Sequence, residues 1–514
     1  GYFTGIGTSL TQPFPRSVIL INWLLGIIVF SFSRIFARWV FSNKKLNKDN
    51  VIIYGAGSAG LQLSNSLQAS DKYNNIAYLD NNKVLHGSYI NGIKVFPTSE
   101  IDVLIKKYSV SDLFLALPSI SLRQRNEIIE KLMAHNVHVR SLPSVSDLAE
   151  GKVKIDDLKE INVKDLLGRD LTKPNTNLLK VKINNKVVLV TGAGGSIGSE
   201  LSRQILYLKP KRLILFDVSE SSLYQIDQEL INLNEHNIEI TAVIGSVRDA
   251  NRMRNIFKIY GVQTIYHAAA YKHVPLVENN PSQGVLNNSI GTMLAAEAAI
   301  DANVETFVLI STDKAVRPTN TMGATKRVAE LVLQALAMQN HNTSLTMVRF
   351  GNVLDSSGSV IPLFKKQIKS GGPVTVTESN IIRYFMTIPE AVELVIQAGA
   401  MGKGGEVFVL DMGDPIKIYD LAKKMIYLSG LQLLDKDNPD GDIEIIFTGL
   451  RPGEKLFEEL LVGDNVTKTE NPLIMSAEEQ MIDWKVLKPL LNDLNEASVN
   501  FENAKIRKLL IEIV

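Results

Sequence analysis

The chain opens on an apolar run. Ser17 to Ser33 (SVILINWLLGIIVFSFS) carries one amide, Asn22, and Arg34, Arg38, Lys44 and Lys45 follow it. A helix that crosses a bilayer needs about 20 apolar residues, which extends the run through Ile35, Phe36 and Ala37. The pattern predicts a spanning helix over about 18–37 within a membrane segment 1–43. Its basic flank lies on the C-terminal side, which places the rest of the chain in the cytoplasm, at the inner membrane. A signal peptide would carry its basic residues first. The sequence starts at Gly1 and reads as a fragment of something longer.

Beyond a polar linker the pattern changes to short apolar runs separated by helical periodicity. Val51–Tyr54, Ile76–Leu79 and Leu113–Leu117 read as strands, and Arg123–Met133 as a helix between strands. That alternation predicts a first parallel α/β unit over 47–145. Gly151–Leu179 is polar and aperiodic and reads as a connector, 146–180. A second unit, 181–514, repeats the alternation with strands at Lys186–Val190, Leu213–Phe216, Ile238–Ile244, Thr264–His267, Thr306–Ile310 and Thr346–Phe350. This is the doubly wound pattern. After Asn352 it loosens into short elements, where such folds add a substrate-binding part. The expected fold class is α/β: a transmembrane helix followed by two Rossmann-like parallel-sheet domains.

Composition narrows the function. The 514 residues are 45% hydrophobic and 21% charged, which is ordinary for folded domains. A net charge of +1 offers no basic field for nucleic acid. The chain has no cysteine, so disulfides, thiolate nucleophiles and cysteine metal sites are excluded, and no metal is expected.

Two glycine turns carry the first chemical signal. Gly55-x-Gly57-x-x-Gly60 follows a strand and opens a helix, with Asp80 closing the next strand. Such a turn brings backbone close to a pyrophosphate at a helix N-terminus, so these residues form a possible second nucleotide site. Thr191-Gly192-x-x-Gly195-Ser196-Ile197-Gly198 has the tighter spacing of short-chain dehydrogenases. Asp217 closes the following strand, where a carboxylate accepts both ribose hydroxyls and repels a 2′-phosphate, favouring NAD.

Ala268, Ala269 and Ala270 after the fourth strand let a dinucleotide lie against the backbone, and Asn288 is placed to pin a bend beside it. Ser311-Thr312-Asp313-Lys314 ends the strand Thr306–Ile310, where doubly wound folds bind ligands. Lys326 lies further on, in MGATK. Short-chain dehydrogenases place a tyrosine base at the first of those five positions; here it is Met322, which cannot take a proton.

These motifs together resemble the long, membrane-anchored UDP-N-acetylglucosamine 4,6-dehydratases of bacterial polysaccharide biosynthesis. The resemblance rests on TGAGGSIGSEL, HAAAYKHVP, STDKAVRPTNTMGATKR, RFGNVLDSSGSVIPLF, IIRYFMT and GLRPGEKLFEEL, which run through most of Val181–Leu461. Met322 also matches the long dehydratases. The resemblance implies a redox-neutral reaction: NAD borrows a hydride from carbon 4, Lys314 takes the carbon 5 proton, and Asp313 protonates the departing carbon 6 hydroxyl. For this, burial would have to hold Asp313 protonated and Lys314 neutral. Thr312 would contact the carbon 4 hydroxyl in place of the missing tyrosine.

Ser246 and Val247 join the implied cofactor set, with Lys326 on the ribose. Lys272, His273, Asn352, Ser359, Arg383, Arg451 and Glu454 are the implied grip on the UDP-sugar. Helices Thr292–Ile300 and Gly323–Met338 occupy positions where short-chain dehydrogenases dimerise, which implies a homo-oligomer. Alternatives are a carbon-5-inverting dehydratase or a nucleotide-sugar epimerase, against which Met322 argues, and a membrane nucleotide sensor without turnover.

Overall fold

The computed structural model describes residues 16–42, 48–68, 70–132, 135, 137–142, 159–160, 174–459 and 466–514. The chain divides into two compact units, Gly1–Pro118 with Arg140–Lys159, and Ser119–Val139 with Glu160–Val514. Most of the expected connector lies outside the described residues. Its last turn is helical, Thr176–Val181, because Asn175 caps it and Leu178 is buried.

The N-terminal apolar run is helical, Arg16–Ser42. Among the described residues, however, no helix is long and apolar enough to cross a membrane, which corrects the expected spanning helix.

One sheet is made of β1 (Asp49–Tyr54), β2 (Tyr73–Asp80), β3 (Tyr89–Ile90), β4 (Ile93–Pro97), β5 (Asp112–Leu115), β6 (His138–Ser141) and β7 (Lys159–Glu160). Their order is β3-β4-β2-β1-β5-β6-β7. β1 runs parallel to β2 and β5, and its Val51 and Ile53 are wholly buried. The turn after β1 is closed by Asp80, which accepts from the Ala56 and Asn82 amides at 2.8 Å each.

The second unit begins with β8 (Val187–Thr191), β9 (Arg212–Asp217), β10 (Glu239–Ile244), β11 (Thr264–His267), β12 (Thr306–Ile310) and β13 (Ser344–Arg349). All are parallel, within two residues of the spans read from the pattern. Short pieces follow: β14 (Asn352–Val353), β15 (Val374–Val376), β16 (Ile382–Arg383), β17 (Phe385–Met386), β18 (Val407–Leu410), β19 (Ile416–Lys417), β20 (Leu433–Leu434), β21 (Ile443–Phe447), β22 (Val466–Lys468) and β23 (Ile474–Ala477). The main sheet runs β10-β9-β8-β11-β12-β13-β18-β23-β22, its last pairings antiparallel.

Side chains alternate across this sheet, as strand geometry requires. Leu189, Ile265, Phe307 and Leu309 face one core with Val328 and Val332 of the helix Thr321–Ala337. Val188, Val190, Tyr266 and Val308 face the other with Leu201 and Ile205 of the helix Ser196–Tyr207.

The helix Thr321–Ala337 is buried on nearly all its faces. The chain itself supplies the cover: helices Trp484–Val499 and Asn503–Ile513 bring Leu487, Leu491, Leu494, Leu509 and Leu510 into the same core. Ser282 Oγ donates to the Ser498 carbonyl at 2.8 Å, and Lys488 pairs with Glu297 at 2.8 Å. Much of the helix Thr321–Ala337, one of the two that the resemblance assigned to a dimer face, is therefore covered by the chain itself.

Candidate active site

The site lies at the carboxyl ends of β8, β11, β12 and β13. Gly192 has φ +65°, and a Cβ there would sit 2.8 Å from the Ala269 backbone. A Cβ at Gly198 would lie 1.9 Å from the Gly192 carbonyl oxygen, so the helix Ser196–Tyr207 starts this close to the turn only with glycine. Asp217 locks the turn from β9, accepting from the Gly194 amide at 2.9 Å and the Ser219 amide at 2.8 Å.

Beneath the turn, His267 is wholly enclosed. Its Nδ1 meets Thr191 Oγ1 at 3.0 Å and its Nε2 meets Thr292 Oγ1 at 3.1 Å. Burial, helped by the nearby Lys326 charge, pushes its pKa down to about 3. Lys326 donates to the Ile310 carbonyl at 2.6 Å, and burial pushes its pKa down to about 8.

The end of β12 is held by a buried ion network. Ser311 Oγ donates to Glu330 at 2.6 Å, and Glu330 takes two bonds from Arg349, which also pairs with Glu479. The next residues form the reactive cluster. The Asp313 amide donates to the Phe350 carbonyl at 3.1 Å, fixing the turn against β13. Thr312 Oγ1 donates to Asp313 Oδ1 at 2.9 Å. Lys314 Nζ donates to the same Oδ1 at 3.0 Å and to Asn352 Oδ1 at 3.2 Å.

A further carboxylate, Glu458, stands 3.7 Å from Lys314 Nζ and 3.7 Å from Arg383 Nε. The second oxygens of both acids, Asp313 Oδ2 and Glu458 Oε2, are buried without a hydrogen-bond partner among the described residues. Burial alone would lower the Lys314 pKa, but Asp313 and Glu458 outweigh it and the net shift is upward. Lys314 is therefore an ammonium at rest, and the expectation that burial keeps it neutral is corrected: burial came with two counter-charges.

These groups open into a cleft of about 850 Å³ lined by Gly192, Ser196, Thr312, Lys314, Met322, Lys326 and Glu458, among others. That is the size of a pocket for a sizeable small-molecule ligand. Gly195, Ile197, Gly198, Ala268, Ala270, Lys272, His273, Asn352, Ser359, Arg383, Arg451 and Glu454 also border it. Met322 is buried and offers a thioether where a tyrosine hydroxyl would have stood.

Asn288 is wholly buried, and its amide bonds the Tyr271 backbone (2.8 and 2.9 Å) and Thr325 Oγ1 (3.0 Å), which pins the 271 loop as expected. Several other expected roles shift. Ser246 accepts from the Arg248 amide, and Val247 is buried in the core; neither borders the cleft. Arg383 is buried and donates to the Ile382, Leu456 and Lys455 carbonyls, which leaves little of its guanidinium for phosphate. Glu454 accepts from the Arg451 amide and from Arg383, which ties the loop together. Glu458 was not anticipated, although it lies within the motif GLRPGEKLFEEL.

The family model for polysaccharide biosynthesis proteins matches residues 188–479, and a second, C2185-like N-terminal model matches 47–138. The chain belongs to the polysaccharide biosynthesis protein family. It is 44% identical over 457 residues to the capsular polysaccharide biosynthesis protein CapD of Staphylococcus aureus, covering 88% of this chain and 75% of CapD. It is 41% identical over 481 residues to the probable polysaccharide biosynthesis protein EpsC of Bacillus subtilis, covering 92% of this chain and 79% of EpsC. Among solved structures, Pen from Bacillus thuringiensis matches at 33% identity and a TM-score of 0.52, covering 59% of this chain and 92% of Pen.

Proposed function

We propose that the chain is an NAD-dependent nucleotide-sugar dehydratase that removes water across carbons 5 and 6 of UDP-N-acetylglucosamine, retaining the configuration at carbon 5, for polysaccharide assembly. The observation that carries this reading is the cluster on Asp313 Oδ1, which takes one hydrogen bond from Thr312 and one from Lys314. The residues present fit NAD. A side chain at Gly192 or Gly198 would clash with backbone, Asp217 ends β9 as a ribose partner, and Lys326 borders the same cleft. Held by these residues, NAD would supply the hydride acceptor and donor for the redox chemistry at carbons 4 and 6.

The protein's own groups handle two protons. The carbon 4 hydroxyl gives its proton to Thr312 Oγ1 as the Thr312 proton passes to Asp313, so this pair takes the proton that Met322 cannot. Asp313 then delivers that proton to the carbon 6 hydroxyl, which leaves as water. Lys314, as the free amine, takes the carbon 5 proton and gives it back on the same face. Asp313 starts as a carboxylate in this scheme, in keeping with its ion pair to Lys314.

The helix Arg16–Ser42 supports a place for the enzyme at the cytoplasmic face of the inner membrane. Its large apolar side chains, such as Trp23 (73% exposed) and Phe30 (75% exposed), have no cover among the described residues. Deleting residues 1–43 is expected to move the protein from the membrane to the soluble fraction of lysed cells.

Incubation with UDP-N-acetylglucosamine and mass spectrometry tests the reaction. A product lighter by one water is expected. A product of unchanged mass with inverted carbon 4 would make the chain an epimerase instead.

A further inference from the structure

The proposed chemistry leaves one proton without a place. Lys314 rests as an ammonium, yet it must be a free amine to take the carbon 5 proton. Asp313 cannot relieve it, because in each turnover Asp313 is filled by the proton from carbon 4. The elements around the ammonium offer few other acceptors. Asn352, on β14, is an amide and already accepts from Nζ. Arg383, on β16, is a cation. Glu454 is tied to the Arg451 amide and to Arg383. Lys455 points its Nζ at the Val316 carbonyl.

Glu458 remains. It is buried, it faces Lys314 at ion-pair distance, and its Oε2 has no partner among the described residues. A buried carboxylate oxygen without a donor is costly, and a proton on it removes the part of that cost that comes from the charge.

We propose that Glu458 is the positioning residue that holds the Lys314 proton during turnover. The Nζ–H bond breaks with its electron pair kept on nitrogen, and an O–H bond forms on Glu458. The ammonium–carboxylate pair becomes an amine beside a carboxylic acid, with no net change in charge. Arg383 Nε lies 3.7 Å from the same carboxylate and stays beside it throughout. After the carbon 5 proton has gone back to the sugar, Glu458 returns its own to Lys314, and the cluster is reset.

The inference rests on the dehydratase reading, and the test separates the two. Wild type, Glu458→Gln and Glu458→Asp are compared in deuterium oxide by three readouts: the absorbance of reduced dinucleotide on substrate addition, exchange at carbon 5 of the 4-keto product, and substrate affinity by calorimetry. Glu458→Gln is expected to slow carbon 5 exchange by about 100-fold, the scale of a proton-transfer contribution. Dinucleotide reduction and affinity should stay within about 2-fold of wild type, and Glu458→Asp should recover part of the exchange. If exchange and reduction fall together, or if exchange is unaffected, Glu458 does not hold this proton. If wild type itself forms no 4-keto product, the dehydratase reading fails first.

Discussion

At the residue scale, the chemistry depends on one oxygen shared by two donors. Asp313 Oδ1 accepts from a hydroxyl and from an ammonium, so a proton arriving through Thr312 weakens its hold on Lys314. Removing the hydroxyl should therefore break the first proton step. Thr312→Ala is expected to lower kcat by about 100-fold with KM within about 3-fold. Thr312→Ser, which keeps the oxygen, should retain most of it; steady-state formation of the 4-keto product measures both. Thr312, Asp313 and Lys314 were legible in the sequence because they are contiguous at the end of an apolar strand. The charge of Lys314 was not, because its second counter-ion, Glu458, arrives from a distant loop. Arg383 misled for a related reason: a sequence does not tell a guanidinium spent on backbone carbonyls from one open to phosphate.

At the element scale, the strand ends set the cleft, and β11 carries a hidden pH dependence. Buried His267 gains a proton only near pH 3 in the folded chain, but near pH 6.5 when unfolded. Between those values the unfolded chain binds more protons, so stability falls as pH falls. The slope from this one group is at most about 1.4 kcal/mol per pH unit. Thermal melts between about pH 7 and 4 should show that loss, and His267→Asn should flatten it. An unchanged slope in the variant would assign the acid lability to other groups. The parallel strands were easy to read, since each is a short apolar run between helical stretches. β18 and β23, which extend the same sheet, were not, because they lie among short elements whose order only the folded chain reveals.

At the scale of the whole second unit, its last two helices finish the core. Trp484–Val499 and Asn503–Ile513 cover the helix Thr321–Ala337, where the resemblance had placed a second subunit. Each buried leucine there is worth about 1.5–3 kcal/mol. A chain cut after Asp483 should therefore expose a wide apolar face and aggregate or self-associate. Light scattering after size-exclusion chromatography would show it, and a monodisperse, equally stable truncated chain would contradict it. The helical periodicity of this segment was readable, but its place was not, because nothing local says which face a helix will cover.

The central claim is that a hydride leaves carbon 4 and returns to carbon 6 of the same sugar while Asp313 and Lys314 move protons beside it. UDP-N-acetylglucosamine deuterated at carbon 4 tests this most directly. Proton NMR of the product should show a 4-keto sugar whose carbon 6 methyl group carries the deuterium. Label still on carbon 4, with the carbon 6 hydroxyl intact, would contradict the account.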